Sequence, residues 1–473
     1  MAVRLFYTEA GATGPLKVTT WDALGYYMYL PAKHIYHDEQ DLKWFAAIDS
    51  TYSLSGGELY QAFKQPDGRY VFKYLKGVSQ LQLPFFAVAH WVALHSTYPA
   101  DGFSLPYQIA VAVACLFYCI LALFVLRHIL LRYFNDHTTA LTLLLLGIAT
   151  NFIQYVSVDS AQSHGFIFPL YAFMLYTTIQ WYQKPRLIWA LLVGALIGLA
   201  TTCRPTEAVM LFIPLLWKRF TAETFQEKWS FIKQHFVHVI FVVSGLLLAV
   251  LPQLFYWKRV TGSWVYDVGS KWDFLNPHFR VLVGWEKGWF IYTPVTVLMV
   301  AGFFLMKKSV YRTAVITFCL LNIYIIISWH IWRYGASYSC RALMQSYPIF
   351  AFPLACFVSI SLRSKWKYIA YILFIYLGAL NIFQIWQYNQ NILHYDDMNF
   401  KYYKAIFLDP DPDALDMSLL DTYEMPGRLL SDTGQLVCSN AQSRIVMYGD
   451  TLLQCQFQPA LNRGQEVWLK VEA

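Results

Sequence analysis

Long apolar runs, separated by short polar loops, dominate this chain of 473 residues and constrain its fold more than any other feature. Runs of this length can cross a bilayer as helices, because a helix satisfies its own backbone hydrogen bonds. Only 14% of the residues are charged, against about 25% in soluble domains. The sequence therefore predicts an all-α polytopic membrane protein with about ten transmembrane helices, at 106–131, 139–157, 162–182, 187–203, 205–217, 236–257, 289–306, 311–330, 341–362 and 367–388.

Lysine and arginine clusters occur in every second loop between these runs, which predicts the orientation of the chain. The clusters near Arg127, Lys184, 218–233, 307–312 and 363–367 are assigned to the cytoplasm. The alternate loops are then external, at 158–161, 203–206, 258–288, 331–340 and beyond 388. We expect a multi-pass cell membrane protein, of the bacterial inner membrane, whose polar face looks into the periplasm or exterior.

This orientation divides the chain into three regions. Residues 1–105 form an external first loop, in which 81–95 reads as an interfacial helix because the run is short and contains His and Gln. Residues 106–388 form the transmembrane domain, and 389–473 form a small external domain with strand-like alternation. No span or signal lies within residues 1–20, so the first transmembrane helix is expected to be missing. Cys438 and Cys455 can pair in the tail if it faces an oxidising compartment.

A lone carboxylate, Asp22, opens a segment that runs to Pro31 and is rich in residues favouring the water–lipid boundary: Tyr26, Tyr27 and Tyr29. An acid held at that boundary suits chemistry on a substrate with a polar head and a lipid tail. The alternative is that Asp22 only caps a surface helix.

Other ionisable residues collect in the predicted external loops or at the helix ends beside them. Arg204 lies between Cys203 and Pro205, where a guanidinium can bind a phosphate or extend to the interface. The remaining candidates are Asp159, His164, Glu286, Lys287, Arg333 and Arg341. Gly194 and Gly198 form a GxxxG pair, which predicts close helix packing and no chemistry.

Four stretches carry a resemblance to a known family: 21–31, 74–86, 284–294 and 332–341. In this order the chain resembles the GT-C fold membrane glycosyltransferases, in the branch of the protein O-mannosyltransferases and the lipid A aminoarabinose transferase. It departs from that pattern in lacking the expected first span, and in having Asp22 alone where relatives often have paired acids.

The resemblance implies transfer of a sugar from a polyprenyl-phosphate carrier to an acceptor hydroxyl of a glycolipid, glycan or protein outside the membrane. Asp22 would be the base, and one carboxylate without a second carboxylate nucleophile implies single displacement with inversion. Arg204 and Arg341, and then Arg333 and Lys287, would hold the donor phosphate, so no metal or other cofactor is expected. The residues expected to contact substrate are Tyr26, Tyr27, Asp159, His164 and Glu286.

Two other functions remain open from the sequence. A transporter or flippase of a lipid-linked sugar would use a similar membrane domain, although no clear internal repeat is present. A non-catalytic scaffold would bind a partner through the tail. A nucleic-acid partner is not expected, because the positive charges lie in short loops between apolar runs.

Overall fold

The computed structural model describes residues 16–218, 226–227, 229–230, 233–307 and 309–420, which are mostly helical. The first loop contains α1 (Asp22–Tyr27), α2 (Tyr29–His34), α3 (Phe45–Tyr52), strands β1 (Ala62–Lys64) and β2 (Tyr70–Phe72), and α4 (Gly77–Leu94). The following helices are α5 (Leu105–Leu130), α6 (Asp136–Ile148), α7 (Ser163–Gln183), α8 (Leu187–Cys203), α9 (Phe212–Leu216), α10 (Phe236–Thr261), α11 (Arg280–Val283), α12 (Trp289–Tyr292), α13 (Val295–Leu305), α14 (Arg312–Ile327), α15 (Arg341–Met344), α16 (Tyr347–Arg363), α17 (Lys367–Asn389), α18 (Phe400–Ala405) and α19 (Ala414–Ser418). The expectation of a mainly helical protein is confirmed.

Among the helices of the described residues, three are long and apolar enough to cross a bilayer: α5, α10 and α17. The other predicted runs coincide with further helices, most of them shorter, and α8 has the predicted bounds of 187–203. The chain is therefore a multi-pass membrane protein. The number of about ten spans stays a prediction.

Several of the predicted apolar runs are not continuous α-helices, because a 3-10 helix, a π-helical turn or a proline interrupts them. The run after Arg204 is a 3-10 helix, Pro205–Leu211, followed by the short α9, so the apolar run at 205–217 is not one continuous α-helix. A π-helical turn, Gln154–Val158, follows α6, and Pro294 separates α12 from α13. These interruptions matter because non-helical backbone at membrane depth is tolerated where protein buries it or where it lines a cavity.

The first loop is an ordered layer that the sequence did not predict in detail. Strands β1 and β2 form an antiparallel hairpin in which Ala62 pairs with Phe72. Helix α4 begins at Gly77, four residues before the predicted start, and its exposed face includes Val88, Trp91 and Leu94. An exposed apolar face suits contact with lipid, and the interfacial placement of α4 stays a prediction.

Glycines bring α8 and α10 into backbone contact. A Cβ at Gly194 would lie 1.8 Å from the carbonyl oxygen of Val242, and one at Gly198 would lie 2.6 Å from that of Leu246. On the facing helix, a Cβ at Gly245 would lie 2.1 Å from the Leu191 carbonyl oxygen. The packing role predicted for the GxxxG pair is confirmed.

Buried side chains form two hydrophobic cores that meet at α1. The larger core lies among the apolar helices and includes Tyr26, whereas the smaller core lies beneath the first loop and includes Tyr27. Tyr256 of α10 belongs to the smaller core, and its hydroxyl oxygen accepts a hydrogen bond from the Phe72 N–H at 2.9 Å. Helix α1 is thus fixed between the membrane helices and the first loop.

The chain divides into two compact units, Met1–Pro412 and Asp413–Ala473. The first unit therefore extends past α17 and includes α18. In the second unit the structure describes only 413–420, where the Asp413 side chain caps α19 by accepting from Asp416 N–H at 2.8 Å. The strand-like stretches at 435–438, 444–448 and 466–471, and both Cys438 and Cys455, lie outside the described residues.

Candidate active site

The carboxylate of Asp22, the first residue of α1, accepts three hydrogen bonds from distant side chains. Oδ1 accepts from the hydroxyls of Tyr74 at 2.6 Å and Tyr60 at 2.9 Å. Oδ2 accepts from Nη2 of Arg341 at 2.8 Å, which makes an ion pair. The Asp22 side chain is 25% exposed and that of Arg341 is 10% exposed, so one edge of the pair remains open. The alternative that Asp22 caps α1 is wrong, because Trp21 holds the cap position and makes no side-chain cap.

The backbone before Asp22 is held in an unusual conformation by the first loop. Trp21 has a φ of 53°, in the left-handed region that a bulky residue rarely adopts. Its N–H donates to the Leu54 carbonyl at 3.2 Å, and its own carbonyl accepts from the Gln61 side chain at 3.1 Å. Such strain persists only where surrounding contacts enforce it, and here it turns Asp22 towards Tyr60.

Gly25 allows Tyr74 to reach the carboxylate. A Cβ at Gly25 would lie 2.0 Å from Cδ2 of Tyr74, so no other residue fits there without displacing the ring. The Tyr74 ring also lies 4.6 Å from the ring of Tyr26. Because Gly25 is three residues after Asp22, both lie on one face of α1, and the tyrosine spans that face.

Arg341 follows a loop, 331–340, whose backbone is anchored by side chains from other segments. The hydroxyl of Tyr155 donates to the Tyr338 carbonyl at 2.9 Å, and the Asn151 amide donates to the Cys340 carbonyl at 3.3 Å. These contacts fix the end of the loop and place the guanidinium of Arg341 beside α1.

Lys287 anchors the same loop, in a role different from the predicted one. Its ammonium donates to the carbonyl oxygens of Gly335 and Ser337, each at 3.0 Å, and to that of Tyr395. Asp396 lies 3.8 Å away. Burial lowers the pKa of Lys287 to about 7, partly opposed by the charge of Asp396. With its three N–H donors used, Lys287 is a structural anchor in this structure and not a free phosphate ligand.

The pKa of Asp22 reflects a balance between burial and its partners. Burial by itself would raise the pKa. The charge of Arg341 and the hydrogen bonds from Tyr74, Arg341 and Tyr60 outweigh burial and lower the pKa to about 2. Burial and the neighbouring carboxylate raise the pKa of both tyrosines, which therefore stay protonated donors.

Arg204 lies at the break between α8 and the 3-10 helix, against His164 of α7. Its Nη1 lies 3.3 Å from Nε2 of His164 and 3.4 Å from Nδ1. The guanidinium carbon also faces the rings of Trp329 and Tyr334, each 6.0 Å away. Arg204, Arg341 and Asp22 all act electrostatically on the buried His164, so the structure gathers these four residues.

A hydrogen-bonded chain behind Arg204 sets the tautomer of His164. The amide nitrogen of Gln345 donates to Glu207, so its carbonyl oxygen is the atom that faces Nδ1 of His164 at 2.8 Å. In this arrangement Nδ1 donates to the Gln345 oxygen, while Nη1 of Arg204 lies at similar distances from both ring nitrogens. Glu207 also accepts from the Tyr171 hydroxyl at 2.5 Å.

A pocket opens beside Arg204. Its polar lining residues are Arg204, Thr206 and Gln345, and its other walls are Trp272, Ile325, Ile326, Trp329, Tyr334 and Ala342. Ala342 follows Arg341 directly in the chain, so the pocket lies next to the ion pair. It combines a cation with an apolar lining.

Two predicted substrate residues have other contacts in this structure. The hydroxyl of Tyr27 donates to the Gly102 carbonyl, and its ring packs in the smaller core. Asp159 accepts from the Gln154 amide at 3.0 Å, and Gln154 is also bonded to Asn389 of α17. Tyr27 thus supports the first loop, and Asp159 lies near the end of α17.

Arg333 and Glu286 complete the predicted set. Arg333 is 43% exposed and pairs with Asp396 at 3.8 Å and Asp397 at 3.6 Å. Glu286 lies against Gly284 and within electrostatic reach of Tyr292, in its own loop. The structure therefore gathers Asp22, Tyr26, His164, Arg204 and Arg341, and holds the other candidates through separate contacts.

Sequence reasoning missed three side chains of the site: Tyr60, Tyr74 and Gln345. Tyr74 begins one of the family-like stretches, which was a signal, but nothing in its spacing linked it to Asp22. Tyr60 and Gln345 have neutral side chains in unremarkable sequence, and only the fold brings them to charged partners.

Across the parts of the chain that the structure describes, no group of three or more His, Cys, Asp or Glu side chains is arranged to hold a metal ion. The ionisable groups that the site brings together are two guanidiniums and two carboxyl groups, those of Arg204, Arg341, Asp22 and Glu207.

Fold and site together define a multi-pass helical membrane protein with an acid–arginine centre beside an apolar pocket. Residues 106–256, from α5 into α10, match the family described as dolichyl-phosphate-mannose-protein mannosyltransferase. This match confirms the resemblance to the GT-C membrane glycosyltransferases of the O-mannosyltransferase branch.

Among solved structures, the chain is similar to ArnT from Cupriavidus metallidurans in the apo state, with 10% sequence identity and a TM-score of 0.43. The similarity covers 72% of this chain and 60% of that one, so the chain spans about three fifths of the length of this neighbour. No curated protein matches the sequence.

Proposed function

We propose that this protein is a membrane glycosyltransferase that moves a sugar from a polyprenyl-phosphate carrier to an acceptor hydroxyl on the outer face of the membrane. The observation that carries the proposal is the Asp22–Arg341 pair, 2.8 Å apart, beside a pocket lined by Arg204 and apolar side chains. The match of 106–256 to the family described as dolichyl-phosphate-mannose-protein mannosyltransferase supports the same reaction class. The acceptor is a glycolipid, a glycan or a protein.

In the proposed reaction, Asp22 takes the proton of the acceptor hydroxyl as that oxygen attacks the anomeric carbon. The bond from that carbon to the donor phosphate breaks, and negative charge develops on the phosphate. Arg341 and Arg204 are the cations that would stabilise this charge, in a site partly shielded from water. With two guanidiniums on the phosphate, no metal ion is required.

The second buried carboxylate supports single displacement with inversion. Glu207 is 1% exposed and its oxygens accept from Tyr171, Gln345 and Thr206. A carboxylate held in this way is not free to attack the sugar, and it serves to position Gln345 and His164. Asp22 then remains the only carboxylate of the described site that faces an open edge, and a single base catalyses a direct displacement.

The side chains that line the pocket are of the types that bind a lipid-linked phosphate. A guanidinium binds phosphate through paired N–H donors, whereas indole and isoleucine side chains match an isoprenoid chain. Arg204 provides the cation, and Ile325 and Ile326 are contributed by the apolar helix α14. A soluble nucleotide sugar would leave this apolar wall unused.

A flippase of the lipid-linked sugar is the alternative, because broken helices are also typical of transporters. The break at Arg204 lies within the charged site. A flippase would move the donor across the membrane without breaking the sugar–phosphate bond, so measuring transfer separates the two functions.

The test uses purified protein in membrane vesicles with radiolabelled polyprenyl-phosphate sugars and envelope extract. Wild type is compared with Asp22→Asn and with Asp41→Asn, a matched control whose carboxylate pairs with Lys43 on the exposed surface. We expect label to reach an acceptor with wild type and with the control variant, and at least about a hundredfold more slowly with Asp22→Asn.

Transfer that persists in Asp22→Asn would exclude Asp22 as the base. Absence of transfer from every donor, with folded protein that moves the labelled lipid across the vesicle membrane, would favour the flippase.

A further inference from the structure

Asp22 is poorly prepared to act as a base in this structure. A general base must have a proton affinity suited to the working pH. Here the Arg341 guanidinium lies 2.8 Å from Oδ2, and a full positive charge at that distance disfavours protonation of the carboxylate. The two tyrosines on Oδ1 are neutral donors, so Arg341 makes the larger contribution to this suppression.

Arg341 has N–H donors beyond the one that binds Asp22. Its side chain is nine-tenths buried, yet its Nε is without a hydrogen-bond partner among the described residues. Leaving a buried donor without a partner costs free energy of folding, so the Nε donor of Arg341 is available to an incoming acceptor.

We propose that Arg341 exchanges partners: it binds Asp22 in the resting protein and the donor phosphate in the donor complex, so that donor binding converts Asp22 into the base. This inference rests on the proposed function and deepens it by making the donor the activator of the site. Tyr60 and Tyr74 are the positioning residues that hold Oδ1 while Arg341 leaves Oδ2.

The resulting step is balanced. The acceptor O–H proton moves to Oδ2 of Asp22, and the acceptor oxygen forms its bond to the anomeric carbon. The bond between that carbon and the phosphate oxygen breaks, and its electron pair goes to the phosphate, where Arg341 neutralises the charge. When the lipid phosphate leaves, Arg341 returns to Asp22 and the carboxylate releases the proton to solvent.

Arg204 does not take part in this exchange, because rings lie against its guanidinium where Arg341 has the Asp22 carboxylate. It lies against the neutral rings of His164, Trp329 and Tyr334 and so keeps its charge available for an incoming phosphate. The exchange follows when the bound phosphate reaches Arg341.

The experiment measures the proton affinity of Asp22 directly in the full-length protein in detergent micelles. A hydrophobic carbodiimide reacts with protonated carboxyl groups, and mass spectrometry of the Asp22 peptide gives the pH of half-maximal labelling. The titratable and charged groups around Asp22 are Tyr60, Tyr74, Arg341 and, further away, Tyr26 and His164. Of these, only Arg341 is expected to move when phosphate is added.

The probe is polyprenyl monophosphate without a sugar, and the control is the polyprenol of equal length. We expect the phosphate to raise the half-labelling pH by at least about one unit, which is about tenfold more labelling at fixed pH, and the polyprenol to leave it unchanged. Arg341→Met should give the raised value without phosphate. Arg259→Met breaks a different arginine–carboxylate pair, with Glu39, and should behave as wild type.

The outcomes separate the two proposals. Phosphate that binds, as judged by filter binding of the radiolabelled lipid, but does not raise the half-labelling pH overturns the exchange and leaves the proposed function standing. Phosphate that does not bind overturns the proposed function and the exchange with it. If Arg341→Met fails to fold, the wild-type comparison of phosphate with polyprenol still decides.

Discussion

The ion pair between Asp22 and Arg341 offers a quantitative test of the site. The pKa of Asp22 is lowered from 3.8 to about 2 although burial acts in the opposite direction. At about 1.36 kcal/mol per pH unit, this difference corresponds to about 2.4 kcal/mol of stabilisation of the ionised form. That value is a lower limit for the combined effect of Arg341 and the two tyrosines, because their effect also offsets burial.

We expect a double-mutant cycle with Asp22→Asn, Arg341→Met and the double variant to give a coupling free energy of about 2–3 kcal/mol at pH 7. Each variant is unfolded in mixed micelles by increasing the denaturing detergent, and the midpoints are compared. The exposed pair of Asp41 and Lys43 is the control, with an expected coupling of at most about 0.5 kcal/mol. Equal coupling in the two pairs would refute the description of a partly buried, interacting pair.

The same pair predicts a pH dependence. Because the folded-state pKa of Asp22 is below its unfolded value, its contribution to stability is complete above about pH 4 and is lost as the pH falls through about 2. In Arg341→Met this loss of stability at low pH should be smaller, or stability should rise as the pH falls. The same dependence of unfolding free energy on low pH in that variant and in wild type would show that Arg341 does not set the pKa of Asp22.

Three further changes test other parts of the structure. Gly25→Ala should push Tyr74 off the carboxylate and slow transfer about ten- to a hundredfold with near-normal folding, since a hydrogen bond to a charged group is worth about 1.5–3 kcal/mol; normal activity would contradict the 2.0 Å approach. Lys287→Met should lower the free energy of unfolding by about 2 kcal/mol, because carbonyl oxygens lose their donor. Since the folded-state pKa of Lys287 is depressed to about 7, unfolding free energy should rise with pH from about 7 to 10.5 in wild type and lose this rise in the variant, as followed by unfolding midpoints. Gly194→Ala should prevent close packing of α8 on α10 and reduce the yield of folded protein in size-exclusion chromatography, whereas Gly147→Ala, with open space at its Cβ, should stabilise by about 0.5–1 kcal/mol; similar yields would contradict the packing described.

Local composition was enough to predict the helices. The bounds of α8 agree with the apolar run at 187–203, and the break after Arg204 follows from Pro205. These features depend on neighbouring residues, because apolar helices satisfy their own backbone hydrogen bonds and a proline removes a donor at its own position.

The first loop was less predictable, since short elements there depend on packing. The β1–β2 hairpin is only three residues on each strand, and the early start of α4 depends on Gly77, where a Cβ would lie 2.4 Å from the backbone nitrogen of Cys203. Neither feature has a strong periodic signal, and each is stabilised by contact with other segments.

Sequence by itself determined that this chain is a multi-pass helical membrane protein, and it selected Asp22, Arg204 and Arg341 as candidates. Only the tertiary structure decided how they are paired. Asp22 and Arg341 are separated by 319 positions, and Lys287, chosen on the same grounds as Arg341, is instead saturated by carbonyl oxygens. The reason is physical: residue type fixes the charge a side chain can carry, whereas its interaction energy depends on the distance and burial of partners that folding brings together.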